Sequence, residues 1–200
     1  HATKASRKIT YKDYTAPTFA LTEPLRFAMN TQDIMGTLTC SDVLDGDVTG
    51  KIKMSSEYYV QADVAGEYPM VYQVANSAGD VQKLPVTVEI YDPSKEAPKP
   101  QFELSEYLVY TPAGTAIDPW SYVQQITVGG IEFKRGEDGV LRDPNPAEKQ
   151  ERTAITADEV QITNPADFNT PGTYEILYQM TDDSGKESAT GQIRLIVVVR

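Results

Sequence analysis

Three aspartates in a short stretch have the spacing most suggestive of chemistry in this sequence. Asp42, Asp45 and Asp47 place carboxylates two or three residues apart around Gly46, a spacing that suits a hard cation such as calcium. The twelve-residue calcium loop is incomplete, because no Glu stands at its closing position. Asp and Gly also form tight turns, in which carboxylates accept backbone hydrogen bonds. We therefore predict a turn here, with weak or no calcium binding, and we expect no other cofactor.

Catalysis by a nucleophile or a general base finds little support in the sequence. The sole histidine is His1, so Cys40 has no internal histidine that could activate it. Cys40 instead fits a small buried side chain on a strand over residues 37–41. Paired carboxylates could serve a glycosidase, but acidic residues here cluster in turns such as Asp182-Asp-Ser-Gly185. We predict that the protein is not an enzyme.

Composition limits the kinds of partner. The net charge of -11 and a pI near 4.5 leave no basic stripe for nucleic acid or for an anionic membrane surface. No apolar run is long enough to span a membrane. A single cysteine excludes an intramolecular disulfide, so packing must hold the fold together. Frequent Tyr, Thr and Val are typical of half-buried strands.

The sequence repeats itself at an offset of 106 residues. The segment 63–74 matches 169–180, and both contain the pattern Gly-x-Tyr-x-x-x-Tyr. In the first copy Tyr68, Met70, Tyr72 and Val74 alternate with Glu67, Pro69, Val71 and Gln73, and the second copy alternates in the same way, which is the period of a strand with one buried face. A glycine-containing turn and a further apolar segment follow each copy. Each half of the chain is therefore predicted to end in a β-hairpin.

The repeat divides the chain into two domains. We place the first at residues 15–92 and the second at 97–200, with a linker at 93–96. Three prolines in the stretch 91–100 favour an extended, semi-rigid connector. Residues 1–14 are interpreted as a leader or as the tail of a preceding module, because they share spacing with the end of the first domain.

The second domain contains an insertion at about residues 129–153. From Asp118 to Gly172 there are 54 residues, against 33 in the corresponding interval from Asp33 to Gly66. Two apolar segments flank Gly136-Glu-Asp-Gly139 and predict a β-hairpin that projects from the domain. Such additions are tolerated thermodynamically and often carry binding residues, so a chain that joins Gly129 to Thr153 is expected to fold with near-normal stability and to lose any partner, while the alternative is a neutral decorated loop. The candidate binding residues are Phe133, Arg135, Glu137, Asp138 and Arg142.

Taken together, these motifs resemble the tandem bacterial immunoglobulin-like repeats of Gram-positive surface proteins. The resemblance rests on Ala16-Pro17, on the Asp42 to Thr49 stretch and on the two Gly-x-Tyr segments, while the second copy lacks the Asp-Gly-Asp element. It implies an all-β chain of two tandem immunoglobulin-like β-sandwich domains. Asp63-x-x-Gly66-x-Tyr68 is also similar to a tyrosine corner, in which the phenol hydroxyl bonds to nearby backbone.

The resemblance also implies an extracellular protein of the cell wall or cell surface. Its function would be that of a non-catalytic structural or adhesive module. The alternative is an accessory carbohydrate- or protein-binding domain attached to a secreted enzyme. We expect a monomer whose partner is a protein or carbohydrate ligand of unknown identity, with no nucleic acid bound and no insertion of this chain into a membrane.

Overall fold

In the computed structural model, which describes residues 14–185 and 187–200, the chain folds into two β-sandwiches. The strands of the first are β1 (Thr18–Ala20), β2 (Arg26–Ala28), β3 (Thr39–Asp42), β4 (Gly46–Asp47), β5 (Lys53–Met54), β6 (Gly66–Ala75) and β7 (Val81–Tyr91). The strands of the second are β8 (Gln101–Leu104), β9 (Leu108–Thr111), β10 (Val123–Val128), β11 (Ile131–Arg135), β12 (Leu141–Arg142), β13 (Ala154–Ile155), β14 (Gln161–Thr163), β15 (Gly172–Asp182) and β16 (Ala189–Val199). Short 3₁₀ helices span Thr49–Lys51, Pro93–Lys95, Pro119–Tyr122 and Ala157–Glu159.

Each sandwich packs two sheets over an apolar core. In the first, the sheet β1-β3-β4 packs on β2-β7-β6-β5, and in the second β8-β10-β11-β12-β13 packs on β9-β16-β15-β14. In both halves the first strand pairs antiparallel in one sheet, and the next strand crosses to pair in parallel with the last strand of the other sheet. The predicted class, two immunoglobulin-like sandwiches, is confirmed.

Both predicted hairpins are present and are the longest paired elements. Strands β6 and β7 stay in register from Gly66 opposite Ile90 to Ala75 opposite Val81. Strands β15 and β16 do the same over eleven residue pairs. The predicted alternation also holds, because every second side chain from Met70 to Val74 is buried. Apolar alternation therefore specified these strands locally.

Two buried tyrosines at corresponding positions of the internal repeat make equivalent hydrogen bonds. Tyr72 and Tyr178 are both 0% exposed. The Tyr72 hydroxyl donates to the carbonyl of Ile34, and the Tyr178 hydroxyl donates to the carbonyl of Pro119 at 2.9 Å. Ile34 directly follows Asp33 and Pro119 directly follows Asp118, and these two aspartates occupy corresponding positions in the two copies. A buried phenol therefore has the same partner in both sandwiches, as a buried polar group requires.

The predicted tyrosine corner is confirmed, and it occurs twice. The Tyr68 hydroxyl donates to the carbonyl of Val64 at 2.8 Å, and the Tyr174 hydroxyl donates to that of Thr170 at 3.0 Å. Both rings are half-buried and pack against the edge of their core. Each corner fixes the chain where it enters the long hairpin.

Replacing Tyr68 or Tyr174 with Phe should lower the free energy of unfolding by about 1 kcal/mol, because each change removes one neutral hydrogen bond and keeps the ring. Urea unfolding measures the loss. Tyr59→Phe is the control, since Tyr59 is 80% exposed, and it should change stability by less than about 0.5 kcal/mol. Equal stability of all three variants would contradict a structural role for the corner hydroxyls.

The two sandwiches lie side by side. Glu175 on β15 accepts hydrogen bonds from the Thr87 amide at 2.8 Å and the Thr87 hydroxyl at 2.6 Å. Glu67 on β6 accepts from Gln192 at 2.7 Å and pairs with Arg194 at 2.6 Å. From the N-terminal to the C-terminal end of β7, the neighbouring residues of β16 are therefore met in reverse order. The last strands of the two sandwiches run in opposite directions, so the chain folds back on itself.

Strand β16 is buried on both faces, which explains its composition. Leu195 and Val197 belong to the core of the second sandwich, whereas Ile196 and Leu108 join the core of the first. A continuous apolar run over residues 195–199 is the pattern of such a strand. The outer face of the β9 and β16 pair is thus the apolar part of the interface between the sandwiches.

The linker differs from the extended connector that its prolines suggested. Pro93–Lys95 forms a 3₁₀ helix capped by Asp92, whose side chain accepts from the Ser94 amide. Glu96 then pairs with Arg26 of the first sandwich and with Lys99 at 2.7 Å. The expectation of an extended form was therefore wrong, because side chains of the first sandwich hold the linker in a turn.

Candidate functional site

The insertion of the second half forms part of its sandwich. The predicted hairpin exists, since β11 pairs with β12 across Gly136-Glu-Asp-Gly139. It does not project, because β11 also pairs with β10 and β12 pairs with β13. Phe133, Leu141 and Ile155 are each 0% exposed in the core. The expectation of a projecting decoration was wrong, since Phe133 and Leu141 of the insertion pack in that core.

Two of the five candidate binding residues, Phe133 and Arg135, contribute to the structure of the second sandwich. Phe133 is 0% exposed and packs in the core of the second sandwich, so it does not lie on an exposed surface of the hairpin, and its role in binding stays a prediction. The Arg135 guanidinium lies 5.5 Å from the centre of the Trp120 ring and donates to the Val123 carbonyl at 3.2 Å. Trp120 in turn donates to the Gly139 carbonyl at 3.0 Å. Arg135 and Trp120 thus hold the base of the hairpin turn.

The other three candidates lie at the hairpin tip. Arg142 binds Asp138 through both nitrogens, with Nη1–Oδ1 and Nη2–Oδ2 distances of 2.7 Å. The hydrogen bonds from Arg142 lower the pKa of Asp138 to about 2. Glu137 beside them is exposed. The tip therefore offers a fixed, accessible ion pair, and these three residues remain candidates for binding.

A cleft of about 810 Å³ opens at the other end of β11, away from the tip. Its floor is apolar and its walls come from the polar part of the insertion and from the turn after β15. The lining residues are Val128, Gly129, Ile131, Phe133, Gln150, Glu151, Arg152, Thr153, Ala154, Glu159, Asp182 and Ser184. The sequence predicted a recognition surface in this insertion and identified Phe133, but it did not identify the other lining residues, because a polar stretch has no periodicity that shows which side it presents.

Hydrogen bonds build the polar wall of the cleft. Gln150 donates to Asp143 at 2.8 Å and to the Arg152 carbonyl at 2.6 Å. Arg152 pairs with Glu159 at 2.7 Å, and both side chains are about one third exposed. Exposed Glu151 and Thr153 flank this pair. Apolar floor and convergent polar groups are the usual makeup of a site for a polar ligand.

The aspartate-rich loop of the first half is the predicted turn. Asp42 is buried and accepts from the amides of Leu44 at 2.9 Å and Asp45 at 3.0 Å. Asp47 accepts from the Thr49 amide at 2.9 Å. Within residues 14–185 and 187–200 there is no group of three His, Cys, Asp or Glu side chains placed to hold a metal ion. Weak or absent calcium binding stays a prediction.

Asp45 ties this turn to the hairpin that ends the first half. It pairs with Lys51 at 2.7 Å and accepts from the Ser77 amide at 2.9 Å. The bonds from Lys51 and Ser77 lower the pKa of Asp45 to about 2. The turn predicted at Asp182 is also present, since Asp182 accepts from the amide and hydroxyl of Ser184.

Cys40 is a core residue, as predicted from sequence. It lies on β3 and is 2% exposed. Burial raises the pKa of the Cys40 thiol to about 11, and the charge of Asp42 adds to the effect. The thiol is therefore protonated at neutral pH, whereas nucleophilic cysteines act as thiolates.

Comparison with known proteins agrees with the fold. Residues 136–198 match the model of a family described as bacterial surface protein, immunoglobulin-like domain. No curated protein sequence matches the chain. Across the described residues there is no helix long and apolar enough to cross a membrane.

Solved structures are similar to the chain at low sequence identity. A lipoprotein from Bacteroides thetaiotaomicron is 13% identical over 90% of this chain and 100% of that chain, with a TM-score of 0.33. A structure of the CBM51-2 and INT domains from Clostridium perfringens ZmpB, in complex with GlcNAc, is 11% identical over 92% of this chain and 42% of that chain, with a TM-score of 0.36. The chain is an all-β protein of immunoglobulin-like sandwiches whose second half is similar to an immunoglobulin-like domain of bacterial surface proteins.

Proposed function

We propose that this chain is a non-catalytic structural or adhesive module of a Gram-positive surface protein, displayed outside the cell. The proposal rests on the structural role of the carboxylates that could otherwise have taken part in catalysis or metal binding. Asp42, Asp45 and Asp182 accept hydrogen bonds that fix turns of the sandwiches. The match of residues 136–198 to a surface-protein domain supports the extracellular location.

Protease treatment of intact cells of the native bacterium tests the location. An antibody against the chain should lose its cell-associated signal after treatment, while a cytoplasmic marker stays intact. Retention of the signal alongside the marker would contradict display at the surface.

The structural role of Asp45 is tested by thermal unfolding in calcium and in EDTA. Asp45→Asn should lower the unfolding midpoint in both buffers, because it weakens the bonds to Lys51 and Ser77. Asp63→Asn is the control, since Asp63 is exposed. If micromolar calcium raised the midpoint of the native chain but not of Asp45→Asn, the aspartates would form a cation site instead.

A second candidate function is that of an accessory carbohydrate- or protein-binding domain of a secreted enzyme, and the cleft favours it. Arrays of glycans and of extracellular proteins can be screened with the purified chain. Arg152→Ala and Arg142→Ala then serve as controls for each other, because each removes one arginine from an accessible ion pair, in the cleft or at the hairpin tip. We expect binding to be lost only in Arg152→Ala. Binding that survives both changes would exclude both surfaces.

A further inference from the structure

The interface between the sandwiches points to a property that neither sandwich would have alone. We propose that the two sandwiches form one folding unit, folded back on itself and closed by a latch of two glutamates, Glu67 of the first sandwich and Glu175 of the second. The inference goes beyond the proposed function, because a module could be structural or adhesive whether its domains were locked together or free.

The chain path sets the geometry of the closed unit. The linker lies where β7 ends, and β16 returns alongside β7 in the opposite direction. Arg200 consequently lies beside the start of the first sandwich, with its Nη1 3.4 Å from the Thr18 hydroxyl. Its guanidinium also lies over the Tyr110 ring, 4.2 Å from the ring centre. Residues 18 and 200 therefore meet at one end of the unit, and the linker occupies the other.

An apolar strip accounts for part of the closure. Leu108 and Ile196 are 8% and 3% exposed, and both pack into the core of the first sandwich. The Tyr110 hydroxyl accepts a hydrogen bond from the Phe19 amide at 2.8 Å. Separating the sandwiches would expose this strip to water, which opposes opening because burial of apolar area is favourable.

Glu175 closes the polar side of the interface at a strand edge. Strand β2 covers β7 only from Glu89 onwards, so the Thr87 amide points past the end of β2. Glu175 supplies the missing acceptor, with one carboxylate oxygen on the amide and the other on the Thr87 hydroxyl. Hydrogen bonds to a carboxylate are stronger than those between neutral groups. The second sandwich thus completes the edge of the first.

Glu67 makes the reciprocal contact near the linker. It accepts from Gln192 and pairs with Arg194, whose side chain is 16% exposed. Partial burial acts to raise the pKa of Glu67, but the bonds from Arg194 and Gln192 outweigh it and hold that pKa below its usual value. The carboxylate is ionised at neutral pH, as an ion pair across the interface requires.

Calorimetry and small-angle scattering test the proposal on the full chain. The native protein should unfold in a single transition. Its radius of gyration should be about 16 Å, the value for a compact chain of this length. Glu67→Ala/Glu175→Ala should split the transition in two, increase the radius of gyration and increase binding of a hydrophobic dye. The matched control is Glu57→Ala/Glu106→Ala, which removes one exposed carboxylate from each sandwich and should match the native protein in all three measurements.

Two outcomes would overturn the proposal. A native chain that already unfolds in two separate transitions with an elongated scattering profile would show that the sandwiches are independent. A latch variant that matched the control in all three measurements would show that the glutamates do not close the unit.

If the double variant fails to fold, Thr87→Val tests the same contact from the other side, because it removes the hydroxyl donor to Glu175 and keeps the shape of the side chain. It should lower the temperature at which the two halves unfold together, and an unchanged temperature would count against the latch.

Discussion

Phe133→Ala should lower the free energy of unfolding by about 3–5 kcal/mol, the usual cost of emptying a fully buried phenylalanine site. The ring is 0% exposed and belongs to one core cluster with Ile126, Leu141 and Ile155. Urea unfolding followed by the fluorescence of Trp120, the sole tryptophan, reports on the second sandwich. Glu137→Ala, at the exposed tip of the same hairpin, is the control and should change stability by less than about 0.5 kcal/mol.

Deleting the insertion extends this test. A chain that joins Gly129 to Thr153 lacks Phe133 and Leu141, and it also removes the strands between β10 and β13. The second sandwich should then fail to fold, as judged by circular dichroism and by the loss of a cooperative transition. A deletion variant with near-native stability would mean that the core closes without these residues.

Gly191→Ala should destabilise the chain by at least about 3 kcal/mol, at the upper end of what overpacking costs. A Cβ atom on Gly191 would lie 1.7 Å from the Pro100 carbonyl oxygen and 2.7 Å from its carbon. Both atoms are backbone, so no change of rotamer relieves the clash. Strand β16 or the end of the linker must move, and β16 contributes to both cores.

Gly50→Ala is the matched control for this prediction, because a Cβ there meets no atom within 4 Å. Thermal unfolding should show a large decrease in midpoint for Gly191→Ala and little change for Gly50→Ala. Similar midpoints for the two variants would show that β16 does not pass as close to the linker as the structure places it.

The local elements of this protein follow from its sequence. Alternation around Tyr72 and Tyr178 predicted both hairpins, since the side-chain period of a strand is a property of the backbone alone. The corner at Tyr68 and the turn at Asp42 were also predictable, because their hydrogen bonds join residues within a few positions of each other.

The placement of the insertion could not be predicted from local sequence patterns. Turn residues correctly placed the hairpin around Gly136 and Gly139. Whether its strands project or join a sheet depends on pairing with β10 and β13, which are separate in sequence. The cleft at Arg152 arises from the same pairing, because it lies where the polar end of the insertion meets the turn after β15.

The arrangement of the two sandwiches was decided only by tertiary structure. The apolar run from Leu195 to Val199 indicates by itself that both faces of β16 are buried. It contains no information about which surface covers the second face. That surface is the first sandwich, and the choice depends on Glu175 meeting Thr87 and on Glu67 meeting Arg194 across long stretches of chain. A one-dimensional pattern encodes the faces of a strand, whereas the partner of a face is selected by complementarity between residues that become neighbours only after folding.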